Sequence, residues 1–438
     1  MPKDRTTRRL FVVGLATALT LLTVGVSGSA AMRTAAGPNS TKATTLTIWG
    51  WGVAIDGLKL VDEGFKTQYP DIDVKYVVRS PTETYRQIQL AISAGSGAPD
   101  ISLVEDSHLA QLVKLGALAD VTSRVKPYRK LIAAHRWKEA MRNGRVYSMP
   151  WDSGPVAVFY RRDVFQRAGV NPSTITTWTR YYQAALKIKR TTGVPMWPQP
   201  TARNDARLFE ILLWQQGLGY VNGNGAVILD KDARIRRTLE YMGKFWKNGL
   251  ALNQEWWTDP WYKSFADGDV ATIPEAVWMG TFFKSFIAPK ANGKWGVFRL
   301  PAWTPGGSRA ANDGGSQLAI FKQSSNKTAA WNYIRYHLGR ADTQVQIYAK
   351  TDLFPGLQSA YRMPMFKEGD PYFGGQKVRQ LFIDIAKKIP KAGVYSSDYQ
   401  QMNSLMQTEL QKYALGQQTA KQTLSNAARA IRQRTRRP

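Results

Sequence analysis

At 438 residues the chain is too long for one ordinary domain and long enough for two sizeable cores. Hydrophobic residues make up 43% and charged residues 21%, so most of it is expected to be globular rather than disordered. The formal charge of +28 raises nucleic-acid binding, but the basic residues are spread along the chain, as in "KIKRTTG" and "KDARIRRTLEY", with one dense run in the tail "RAIRQRTRRP". That spread argues against a nucleic-acid partner and for a solvated cationic surface, held loosely at most near an anionic wall or lipid face.

There is no cysteine. Disulfides, thiolate metal sites, cysteine nucleophiles and a lipid-modified cysteine behind an export signal are therefore excluded from this sequence. His108, His135 and His337 are far apart and read as surface or packing residues. No metal or cofactor is expected.

The chain opens with the cationic "MPKDRTTRRL", continues with the apolar "FVVGLATALTLLTVGVSG" and reaches small residues at Ala30 and Ala31. This order predicts a signal peptide over 1–31, followed by a small, polar linker over 32–45. Thr7 to Phe11 resemble the twin-arginine export signature, a pattern that chance also produces, so the export route stays open.

From there the elements follow in a regular order. "LTIW" (46–49) predicts a strand, and "AIDGLKLVDEGFKTQY" a helix with Ile55, Leu58, Val61 and Phe65 on one face. "DIDVKYVV" (71–78) is the next strand, "TETYRQIQLAISAG" (82–95) a helix closed by glycine, "DISLV" (100–104) a third strand and "SHLAQLVKLG" a third helix. A β-α-β-α-β-α order with short connections predicts a parallel sheet covered by helices. The pattern restarts with "VYSMPW" and "VAVFY" (156–160), runs through several helices to strands at "VATI" (270–273) and "SQLAIF" (316–321), and ends in a helical C-terminal quarter.

In open α/β sheets the ligand crevice lies beyond the carboxyl ends of strands. Trp49 and Trp51 fall at the first such end, with Gly50 and Gly52 permitting close approach. The two indoles either cap the crevice edge or face a ligand. Other ends repeat the theme: Glu105 and Asp106, Trp151 and Asp152, Glu275 and Trp278, and Asp313 and Ser316 before a strand. An aromatic ring beside a carboxylate or hydroxyl suits a sugar, whose C–H face packs on the ring while its hydroxyls need acceptors. Trp214, Trp246 and Trp331, at helical spacing among apolar residues, are expected to pack. "WWTDPW" (256–261) reads as a lid or platform, or, preferably, as the start of a helix packed on its lobe.

These stretches resemble, almost end to end, the extracellular solute-binding proteins of ABC importers of the maltose-binding type. The resemblance rests on "LTIWGWG…EGFKTQYPDIDVKYV", "AISAGSGAPDISLVEDSHLAQLVKLGALADVT", "NGRVYSMPWDSGPVAVFYRRDVFQRAGV", "FADGDVATIPEAVW" and "GGSQLAIFKQSSNKTAAWNYIRYHL" in that order. It implies an α/β, two-lobed periplasmic-binding-protein fold with a ligand cleft between lobes joined by crossover strands. The N-terminal lobe would comprise 46–153 plus 312–352, and the C-terminal lobe 154–311 plus 353–438.

It further implies a monomeric, exported, non-enzymatic protein that binds a mono- or oligosaccharide and delivers it to membrane permease subunits. The implied ligand set is Trp49, Trp51, Glu105, Asp106, Trp151, Asp152, Glu275, Trp278, Asp313, Ser316 and Phe354. Stacking falls to Trp51, Trp151 and Trp278. Hydroxyl recognition falls to Glu105, Asp106, Asp152 and Asp313. Two other readings remain: a secreted glycoside hydrolase using paired carboxylates, although no G-x-S-x-G, H-E-x-x-H or P-loop pattern occurs, and a binder of a polyol, glycerol phosphate or peptide. Acidic and aromatic loops suit a neutral polyol better than a phosphate.

Overall fold

A computed structural model describes residues 43–202, 205–390 and 395–438. The expected signal peptide and all but the end of the expected linker lie outside the described residues. Two main sheets organise the rest. The first holds strands β1 (Thr44–Gly50), β2 (Ile72–Val78), β3 (Ile101–Glu105), β4 (Met149–Pro150) and, from much later in the chain, β8 (Ser316–Ile320). Between β4 and β8 the chain builds the second sheet from β5 (Val156–Arg161), β6 (Thr272–Ala276) and β7 (Trp295–Arg299).

The first sheet runs β2-β1-β3-β8-β4; β1 pairs in parallel with β2 and β3, and β8 alone runs against the other strands. Strand β8 pairs antiparallel with β3, Ser316 opposite Glu105, and antiparallel with β4, Leu318 opposite Met149. The fully parallel sheet expected from the β-α-β order is thus a mixed one. The local pattern around residues 44–114 could not show a partner arriving so much later in the chain, because strand pairing is a long-range choice. The second sheet, β6-β5-β7, is antiparallel throughout, with Glu275 opposite Ala157.

Local chemistry fixes the helices that flank these strands. Ser80 caps the helix Pro81–Ala94 by accepting from the Glu83 amide at 3.2 Å, Pro81 fills its first turn, and Gly95 closes it at φ 71°. Thr177 and Gly193 bracket Trp178–Thr192 in the same way. Thr419 and Gln422 form a reciprocal capping box on Ala420–Thr435.

Each main sheet carries its own core. Leu46, Ile48, Leu103, Met149, Leu318 and Trp331 belong to the first. Phe159, Trp178, Trp197, Ile273, Trp295 and Phe382 belong to the second. Trp331 is buried as expected, and Trp214 and Trp246 are half-buried against the second core.

The two sheets meet edge to edge. Ser316 opposite Glu105 and Gln317 opposite Pro150 put the ends of β3 and β4 and the start of β8 on one edge. In the second sheet the start of β5 and the end of β6 share an edge, Val156 opposite Ala276. Residues 151–155 join these edges directly, and antiparallel bridges Pro155–Asn312 and Asp152–Pro355 bring two further passes of the chain alongside. The passes are tight. The Asp313 amide donates to the Gly154 carbonyl at 2.7 Å, and a Cβ on Gly154 would overlap the Asp313 carbonyl oxygen. Gly154→Ala is therefore expected to cost about 1–3 kcal/mol through backbone displacement, read as a lower denaturation midpoint. An unchanged midpoint would mean that these passes separate freely.

Candidate functional site

The edge between the sheets collects most of the residues singled out from the sequence, but not in equivalent states. Trp49 is only 8% exposed and packs with Tyr85, Ile88 and Val104, while the Arg79 guanidinium covers its ring at 4.5 Å. Gly50 sits close to the first core: a Cβ there would lie 2.9 Å from Ile55 Cδ1, so that side chain would have to shift. Trp51, at the N-terminal cap of the helix Gly52–Lys59, is half-buried against the first core.

The structure differs from the sequence-based expectation at several positions, the buried Trp49 and Ser316 among them. Trp151 is fully buried in the first core, and Phe354 is fully buried among Tyr348, Tyr361, Phe366 and Phe382, so neither ring offers an open face. The Asp106 carboxylate is engaged by both terminal nitrogens of Arg136 and by Gln317 Nε2 at 2.8 Å. Asp152 Oδ1 accepts from the Ser316 amide at 2.6 Å and from Ser316 Oγ at 2.5 Å. Burial pushes both carboxyls up from their ordinary value, against the pull of Arg136. A strand-end acid looks the same in sequence whether it faces a cleft or braces a crossover.

Glu105 is different. Its amide donates to the Tyr85 hydroxyl at 2.8 Å, that hydroxyl donates back to Oε2 at 3.3 Å, and the side chain keeps 40% of its exposure. Tyr85 stacks on His108 with ring centres 3.6 Å apart, and His108 Nδ1 lies 3.4 Å from Glu105 Oε2. Burial raises the Glu105 carboxyl, but His108, Arg207 and Tyr85 together bring it below its ordinary value. The strand end thus presents a fixed, ionised acceptor.

Arg207, from the start of the helix Arg207–Trp214, was not singled out from the sequence. Its Nη1 donates to Asp313 Oδ2 at 2.8 Å, and its Nε lies 3.4 Å from Asp205. The guanidinium sits 5.5 Å from the Trp278 ring centre and 5.7 Å from that of Trp257. Those two indoles are 6.0 Å apart. Trp257 is 36% exposed and holds φ at +66°, a left-handed conformation costly for an aromatic residue. Within "WWTDPW" the helix-packing reading holds for two of the three tryptophans. Trp256 and Trp261 pack in the core around the start of the helix Asp259–Asp267, while Trp257 is turned outward. Nothing in the spacing separates two adjacent tryptophans; the backbone conformation does.

Glu275, near the end of β6, is fully buried. Its Oε1 accepts from the Ala276 amide at 2.8 Å, and Oε2 finds no donor among the described residues. Burial, then the Asp313 carboxylate, pushes the carboxyl well above its ordinary value.

A second buried acid supports the helix that carries Arg207. Glu210 accepts from the Tyr399 hydroxyl at 2.8 Å and from Asn403 Nδ2 at 3.0 Å. Burial pushes it from 4.5 up to about 7. A raised carboxyl contributes stability that is complete below the unfolded value and is lost as pH rises towards the folded one. Between pH 4.5 and 7 the wild type is expected to lose about 3 kcal/mol from this group. Glu210→Gln should remove that component of the pH dependence of denaturation; identical slopes for the two proteins would refute the assignment.

Comparison with known proteins agrees with this architecture. The profile of the bacterial extracellular solute-binding protein family matches residues 57–344, and the chain belongs to that family. It is 27% identical to the arabinooligosaccharide-binding protein of Bacillus subtilis (strain 168), covering 94% of this chain and 97% of that one. It is 26% identical to the lactose-binding protein of Rhizobium radiobacter, over 85% and 90% of the two chains. Among solved structures, the ABC transporter associated binding protein from B. animalis subsp. lactis Bl-04 in complex with β-1,6-galactobiose superposes with a TM-score of 0.76 at 27% identity, covering 90% and 98%. The fold is accordingly the two-lobed α/β fold of these binding proteins.

Proposed function

We propose that the chain is an exported, non-enzymatic carbohydrate receptor that hands a neutral oligosaccharide to the permease of an ABC importer. The observation that carries this reading is the pair Trp257 and Trp278 around Arg207, which is fixed by Asp205 and Asp313 and whose charge also helps lower the Glu105 carboxyl. Indole faces suit the C–H side of a sugar ring, and ionised acceptors with a fixed guanidinium suit its hydroxyls. Relatives named for arabinooligosaccharide and lactose, which this chain covers almost fully, support the same class of ligand.

Trp51, Glu105, Trp257, Trp278 and Arg207 line the ligand in this reading. Asp106, Asp152, Ser316 and Phe354 brace the lobes. Residues 151–155, 311–316 and 351–357 serve as the hinge, and ligand shifts the population towards the closed form by its extra contacts there.

Titration with lactose, arabinotriose, β-1,6-galactobiose and maltose, followed by tryptophan fluorescence, tests the reading. At least one sugar should give a saturable change without new reducing ends, and Trp278→Ala should weaken it by about 1–2 kcal/mol. New reducing ends would favour the glycoside hydrolase reading. No response to any of the four would remove the sugar assignment.

A further inference from the structure

A groove of about 820 Å³ lies where the two cores adjoin, away from the residues assigned to sugar. One wall is Ala133, next to Leu131, whose carbonyl accepts from the Gln358 amide at 2.9 Å, and Ile132, which belongs to the first core. The other wall is the helix Val378–Ala386, which packs into the second core through Phe382 and Ile383. The short 3-10 turns Gln358–Arg362 and Pro364–Lys367 form the floor. Tyr361 connects this floor to the crossover by donating to the Pro355 carbonyl at 2.6 Å.

Three cations line the groove: Arg362, Lys367 and Lys387. All three are exposed, no acidic side chain lines the groove with them, and none has an ion-pair partner among the described residues. Some cations nearby are paired: Lys284 bridges Asp352 and Asp370, Arg379 pairs with Asp370, and Arg299 pairs with Asp384. Three unpaired positive charges from three separate elements, turned into one concave space, repel one another until an anion enters. We infer that this groove is a binding site for a small, multiply charged oxyanion of the phosphate type, contacting elements of both lobes.

Inorganic pyrophosphate is the probe, measured by calorimetry on the full protein at physiological ionic strength so that loose surface attraction is screened. One saturable site is expected. The triple variant R362A/K367A/K387A should bind at least about tenfold more weakly, roughly 1.4 kcal/mol. A control variant with the same loss of charge elsewhere, K75A/K114A/K247A, should bind as the wild type does. If the triple variant fails to fold, Lys367→Glu alone provides the same test. Equal weakening in both triple variants would reduce the effect to net charge and overturn the site. So would the absence of saturable binding, or binding to phosphatidylglycerol vesicles that needs the three residues while pyrophosphate does not bind.

Discussion

Trp257→Gly is expected to weaken sugar binding by about 2 kcal/mol, roughly thirtyfold, while leaving the denaturation midpoint nearly unchanged. Two opposing effects on stability make this separation possible. The substitution loses the packing of Trp257 on Trp261 at 5.0 Å and on Trp278 at 6.0 Å, for a side chain already 36% exposed. It also relieves a φ of +66°, which costs of order 1–3 kcal/mol for a residue with a Cβ and nothing comparable for glycine. On the binding side there is no such offset, because the indole face is lost outright. Trp257→Tyr keeps a ring and should retain most of the affinity. Calorimetric titration and thermal denaturation of the same samples check both halves. Unchanged affinity would remove Trp257 from the site, and a large fall in midpoint would make it a packing residue.

The second large effect concerns the buried pair Asp106 and Arg136, 1% and 0% exposed. Asp106→Ala should destabilise the protein by about 3–5 kcal/mol, since it leaves a guanidinium buried without its partner. The surroundings prevent Arg136 from moving away. Gly315, at φ +127°, lies so close that a Cβ there would meet Arg136 Nη1 at 2.6 Å, and Arg136 Nη2 also donates to the Ser316 carbonyl at 3.2 Å. The pair therefore clamps the start of β8 to the helix after β3. Replacing both partners, Asp106→Leu with Arg136→Met, should recover most of the loss, because no lone charge remains. Chemical denaturation of the single and double variants measures this. A single variant as stable as the wild type would show that the pair is not the clamp.

These two sites also mark what sequence could and could not reveal. Most elements around residues 44–114 were legible because each is local: the strands at 72–78 and 101–105 and the helix at 81–94 fall within a residue or two of their patterns, whereas the single helix expected from "AIDGLKLVDEGFKTQY" is two, Gly52–Lys59 and Asp62–Gln68. The pairing of β8 with β3 was not, because register between distant segments leaves no local trace. At the site, the residue types were legible and their orientation was not. Trp151 and Trp278 each follow a short strand, yet one is fully buried and the other half-buried beside Arg207. Arg207 escaped notice because it opens an apolar helix, "RLFEILLW", where a cation reads as a solvated end. Only its placement over two indoles gives it meaning.

Hydrogen–deuterium exchange with and without the four sugars tests the central claim most directly. A sugar that binds should slow exchange in both 101–114, around Glu105, and 255–282, around Trp257 and Trp278, because it bridges the two lobes. Protection confined to one of these segments, or found only elsewhere in the chain, would contradict a ligand held between them.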